Sequence, residues 1–219
     1  MTERGMVITK SLLLVLGLIV CATAPASGPT DTLRNIEFET SEVTEPDISL
    51  SPDSNWLVFS MLGHLFRLPV EGGQAEQLTF GPYYDSSPAY SADGSKLLFV
   101  SDRGGGADIF LLDLESGTLQ QLTHGADAHR PVWTPDGKSI VYLQYSRQAA
   151  NTWEWAGYRP MPALVMQIPL NGANPTALSS ETRRYRSVNF LPDGSLVWAW
   201  VDWDEAAGDW KSHIETVSE

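Results

Sequence analysis

The sequence predicts an all-β protein: a β-propeller of four-stranded antiparallel blades, incomplete, with about three and a half blades in 219 residues. Three observations carry this expectation. A tight-turn signal recurs four times, as Ser51-Pro52-Asp53-Ser54, Ser91-Ala92-Asp93-Gly94, Thr134-Pro135-Asp136-Gly137 and Leu191-Pro192-Asp193-Gly194. Runs of apolar, β-branched and aromatic residues flank each of them. The turn aspartates stand 40, 43 and 57 residues apart, which is near the period of a four-stranded propeller blade.

The elements follow in order. The first strand of each unit carries a large apolar side chain three residues before the aspartate, at Leu50, Tyr90, Trp133 and Phe190. In the turn, proline presets φ, aspartate bonds its own backbone and glycine takes the left-handed dihedral. The second strands are Trp56–Phe59, Lys96–Val100, Ile140–Leu143 and Leu196–Trp200. Residues two apart share a face, so Leu57 with Phe59, Leu97 with Phe99, and Ile140 with Tyr142 are expected to point to one side and be largely buried. Third strands run over His64–Val70, Asp108–Leu114 and Leu164–Leu170, and fourth strands over Glu76–Thr79, Gln120–Thr123 and Thr176–Ser179.

The blades are therefore expected at about 45–85, 86–129 and 130–186, with a partial blade at 187–219 that stops after two strands or so. The third unit is long because of an insertion near Ser146 to Pro162, which contains Trp153, Trp155 and Tyr158. Its aromatics are expected to pack the loop onto its own blade; a projecting binding loop is the alternative. Three and a half blades fall short of a closed ring, so the chain is expected to be a piece of a longer protein with blade faces left wet.

Before the repeats stand a leader at 1–26 and a lead-in segment at 27–44; the propeller segment takes 45–219. Arg4 and Lys10 precede the apolar run Ser11–Val20, and Ala24-Pro25-Ala26 offers small residues for cleavage after Ala26. The run is short for a bilayer span, so the mature chain is expected to be periplasmic or secreted, with no membrane span. Cys21, the only cysteine, sits in Leu18-Ile19-Val20-Cys21. That stretch resembles a lipobox except that Val20 stands where a small residue belongs, so Cys21 reads as an apolar leader residue, with lipidation the alternative. A mature chain without cysteine has neither disulfides nor thiol chemistry.

With 42% hydrophobic and 19% charged residues the composition is globular. The net charge of −13 repels phosphate backbones and anionic lipid, which argues against nucleic acid as a partner.

No catalytic, cofactor-binding or metal-ligating residue is assigned. None of the histidines, His64, His124, His129 and His213, forms a His-x-His pair, and the five-residue spacing of His124 and His129 is weak for metal. No Gly-x-Ser-x-Gly elbow is present. Gly104-Gly105-Gly106 reads as a hairpin turn, and Asp102 with Arg103 as residues that fix a turn by hydrogen bonds.

The run from Ser91 to Phe99, then Ser101-Asp102-Arg103-Gly104-Gly105, Asp108-Ile109-Phe110 and Gln121-Leu122-Thr123, resembles the TolB-type, WD-like propeller repeat over about residues 45–200. A narrower resemblance lies in Ile36–Thr40, Leu62–Gly73 and Gln77–Asp85, which are similar to the opening of secreted amidohydrolases. In that family such a propeller precedes a metal-dependent hydrolase barrel. The resemblance implies a non-catalytic scaffold whose partner is a protein domain, either a downstream catalytic domain or an envelope protein. A TolB-type binding module and the propeller of a prolyl-oligopeptidase or tricorn-type serine peptidase are the alternatives.

Overall fold

The computed structural model describes residues 47–146 and 161–217. The chain divides into Met1–Thr40 and a compact unit Ser41–Glu219, and all described residues belong to the second. The leader, the lead-in segment and the insertion residues Trp153, Trp155 and Tyr158 lie outside the described residues.

Four antiparallel sheets follow one another along the chain. Sheet I holds β1 (Ile48–Leu50), β2 (Trp56–Met61), β3 (His64–Pro69) and β4 (Glu76–Gln77). Sheet II holds β5 (Asp85–Tyr90), β6 (Lys96–Ser101), β7 (Asp108–Asp113) and β8 (Leu119–Gln121). Sheet III holds β9 (Ala128–Trp133), β10 (Ser139–Tyr145), β11 (Ala163–Pro169) and β12 (Thr176–Ala177). Sheet IV holds β13 (Arg184–Phe190), β14 (Leu196–Asp204) and β15 (Asp209–Val217). In every sheet the strands lie in sequence order, and the first strands β1, β5, β9 and β13 contact one another in turn. The sheets fan out from that line of first strands. Among the described residues no strand of sheet I touches a strand of sheet IV, so the fan is open, an incomplete propeller.

The turn between first and second strands is one device built four times. In the first three units a hydroxyl (Ser51, Ser91 or Thr134) donates to the turn aspartate and accepts the backbone N–H of Trp56, Lys96 or Ser139. Leu191 replaces the hydroxyl in the fourth, and Asp193 accepts the N–H of Ser195 there. Gly94, Gly137 and Gly194 have φ of 73°, 66° and 87°, while Ser54 holds the same place at 58° without glycine's freedom. The end of each complete unit is also repeated. Thr79, Thr123 and Ser179 accept the N–H of Leu65, Ile109 and Val165 through their side-chain oxygens. These side-chain bonds take over from the ladder, so the fourth strands are only two or three residues long, shorter than their apolar pattern suggests.

The turn aspartates carry a pH dependence. The Ser91 hydroxyl, then the Ser95 backbone and side chain, hold Asp93 at about 2; Asp53 and Asp136 are lowered in the same way by Ser51 and Thr134, and Asp193 is lowered by the backbone and side chain of Ser195. A carboxyl lowered by folding stabilises fully above its unfolded value of 3.8 and loses that contribution as pH falls toward about 2. The stability gap between the protein and an Asp93→Ala variant should therefore be widest near pH 5 and narrow toward pH 2 in thermal melts. A gap independent of pH would show that the Asp93 charge is not what holds the turn.

Three apolar clusters join neighbouring sheets. Val58 and Leu65 meet Leu97, Phe99, Phe110 and Leu112 between sheets I and II. Leu98, Ile109 and Leu111 meet Ile140, Tyr142 and Ile168 between II and III. Val141, Leu143 and Val165 meet Tyr185, Val188, Leu196 and Trp198 between III and IV.

Two expectations are corrected here. Leu97, Phe99, Ile140 and Tyr142 are buried as alternation predicts, but so are Leu98, Val100, Val141 and Leu143 on the opposite faces. Sheets II and III are sandwiched, so neither has a wet face. Leu57 and Phe59 are only half-buried. Their face of sheet I has no facing sheet among the described residues, and their cross-strand partners Leu50 and Ile48 are 49% and 58% exposed. Sheet IV, expected to stop after about two strands, has a third, β15. The acidic stretch Asp202–Asp209 hid it: Asp204 caps the turn by accepting the N–H groups of Ala206 and Ala207, and nine residues pair on each side.

Candidate functional site

The first strands converge on one open cleft of about 180 Å³, lined by residues from all four sheets. Asp47, Ser87, Arg130 and Ser187 hold the same place in their units, each six residues before its turn aspartate. β5 and β9 both bulge here, as register shifts opposite Phe99 and Tyr142 show. Within the bulges Ser87 and Arg130 are left-handed, with φ of 52° and 51°, and Pro88 and Pro131 follow them. Asp47 Oδ2 accepts both the N–H and the hydroxyl of Ser87, at 2.9 and 3.0 Å. Arg130 is exposed and has no hydrogen-bonded or ionic partner among the described residues, whereas Arg67, Arg103 and Arg183 each hold a carboxylate. The sequence held a signal for this ring, the constant offset from the turn. The signal is weak because Asp, Ser, Arg and Ser share no chemistry.

The conspicuous motif residues stand in hydrogen-bond and ion-pair networks, and Asp102 and Arg103 reach across to residues 18 positions earlier. Asp102 accepts the Tyr84 N–H and so fixes the loop entering β5. Arg103 grips Asp85 with both carboxylate oxygens at 2.7 and 2.8 Å and donates to Ser101. Its guanidinium lies over the rings of Tyr83, Phe99 and Phe110. The buried Asp108 accepts from Thr123, Gly125, Ala126 and Gln121, tying β7 to the loop that leads into sheet III. A Cβ on Gly104 would lie 2.6 Å from Gln121 Nε2, so a larger residue there would push the Gln121 side chain from its bonds to Asp108 and Thr123.

The histidines do not converge. His129 stacks on Tyr145 and contacts Asp127 at 3.1 Å; burial lowers its pKa, and the bond to Asp127 only partly offsets this. His213 stacks on Trp200 and contacts Asp202, His124 borders a groove between sheets II and III, and His64 sits at the start of β3. Among the described residues no three His, Cys, Asp or Glu side chains group as metal ligands, and no helix is long and apolar enough to cross a membrane.

Comparison with known proteins agrees with this architecture. The family model for the TolB β-propeller domain, PD40, matches residues 33–156. An uncharacterized protein of Agrobacterium fabrum is 33% identical over 114 residues, which cover 43% of this chain and 38% of that one. A tricorn protease homolog of Streptomyces coelicolor is 26% identical over 129 residues, 58% of this chain but 11% of the relative. The chain thus spans well under half of these relatives. Among solved structures, a TolB-type protein of Agrobacterium tumefaciens aligns with a TM-score of 0.59 over 82% of this chain and 61% of its own. At 19% identity that likeness concerns the fold alone.

Proposed function

The chain belongs to the TolB β-propeller family, and on that premise we propose that it is the non-catalytic propeller module of an exported hydrolase, binding a protein domain and carrying no chemistry of its own. The observation that carries this reading is the match to a small part of a much longer protease homolog. Shared propeller segments with different surroundings are how a scaffold is reused, since the fold fixes no chemistry. Within the hydrolases, the runs Ile36–Thr40, Leu62–Gly73 and Gln77–Asp85 support an amidohydrolase partner. The tricorn relative supports a serine peptidase as the second reading.

The coding sequence downstream of Glu219 tests both. A barrel with a His-x-His pair supports the amidohydrolase, a Gly-x-Ser-x-Gly hydrolase supports the peptidase, and an immediate stop codon rules out both in favour of a stand-alone protein-binding module. The purified chain should show no esterase, amidase or peptidase turnover with or without zinc. Export places the module in the periplasm or outside the cell. Amino-terminal sequencing of the exported protein should begin at Ser27, and intact Met1 in the mature form would contradict this.

A further inference from the structure

We propose that the cleft between the first strands binds a small zwitterion of the amino-acid type, its carboxylate on Arg130 and its ammonium group on Asp47. The proposal does not rest on the scaffold reading. It starts from an asymmetry between two equivalent residues. Ser87 and Arg130 share the left-handed conformation, which L-residues other than glycine adopt at a cost. At Ser87 two hydrogen bonds to Asp47 hold that conformation. Arg130 lines the cleft and is exposed, and its side chain has no hydrogen-bonded or ionic partner among the described residues, which leaves its guanidinium donors free for a ligand.

Charge and size narrow the ligand. A guanidinium takes a carboxylate through two parallel hydrogen bonds, which favours that anion at Arg130. Asp47 borders the same cleft and uses only Oδ2 for Ser87; Oδ1 has no donor among the described residues. A simple anion meets Asp47 and a net charge of −13, and a simple cation meets Arg130. A molecule with both charges satisfies both groups. The cleft, about 180 Å³, falls below the roughly 300–1,000 Å³ of pockets for drug-sized ligands and matches a single amino acid.

Isothermal titration calorimetry on the full chain with alanine as probe tests this, with acetate and methylammonium as half-ligands. Alanine should bind saturably with a Kd of about 1 mM or tighter, and each half-ligand at least about tenfold more weakly. Arg130→Gln should weaken alanine at least about tenfold while Arg130→Lys keeps part of the affinity. Arg130 is exposed, so its variants should melt with the parent protein, which separates lost binding from lost folding. Asp47→Asn should weaken alanine but not acetate. The proposal is overturned by no saturable heat with alanine, by undiminished binding in Arg130→Gln, or by acetate binding as tightly as alanine.

Discussion

Replacing Phe99 with alanine should lower unfolding stability by about 3–5 kcal/mol, the range for deleting a fully buried aromatic side chain. Phe99 is 0% exposed and fills the seam between sheets I and II beside Val58, Leu65 and Leu112. Its ring faces Phe110 with centroids 5.9 Å apart. The repeat supplies a matched control. Phe59 occupies the equivalent place in sheet I and faces Phe66 at the same 5.9 Å, yet its side of the sheet has no facing sheet among the described residues. Phe59→Ala should therefore cost only about 1–2 kcal/mol, as the side chain is already partly wet. Phe80→Ala, at a ring 66% exposed, should cost under about 1 kcal/mol. Urea unfolding of the three variants measures the order. Equal costs for Phe59 and Phe99 would mean that the outer face of sheet I is covered in solution, and the open-fan description would fail.

The legibility of this chain followed its repetition. Asp53, Asp93, Asp136 and Asp193 each sit in a turn whose partners are local, two residues away, so the sequence alone specified the turn and the strands on either side. Two features resisted for physical reasons. Which faces are dry depends on stacking between sheets, and period-two alternation cannot tell Leu98, buried against sheet III, from an outward residue of a single wetted sheet. Strand β15 was missed because its pairing is enforced by Asp204 capping the turn and by cross-strand contacts such as Trp203 with Trp210, none of which shows as an apolar run. The cleft was harder still. Asp47, Ser87, Arg130 and Ser187 meet only because four strands far apart in sequence converge on one line, and their one shared mark in the sequence is a constant offset of six residues before the turn aspartate, with no common residue type.

Arg103→Met should cost about 3–5 kcal/mol, the penalty for leaving a buried charge without its partner. The side chain of Asp85 is 0% exposed and that of Arg103 14%, so water cannot replace the guanidinium at the carboxylate. Methionine keeps apolar contact with Tyr83, Phe99 and Phe110, which isolates the electrostatic loss from a packing loss. The pair's net worth is a separate quantity, because forming it required desolvating both charges. The double variant Asp85→Asn with Arg103→Met removes the stranded carboxylate and should be more stable than Arg103→Met alone. Urea midpoints for the parent, both single variants and the double close the cycle. The Phe99 and Arg103 substitutions should not add, as the guanidinium lies 5.3 Å from the Phe99 ring centre. If Arg103→Met instead costs under about 1 kcal/mol, the pair behaves as a solvated surface bridge. In that event the motif arginine would have to be conserving something other than the entry to β5, and its cation–aromatic contacts with Tyr83 and Phe110 would be the next groups to vary.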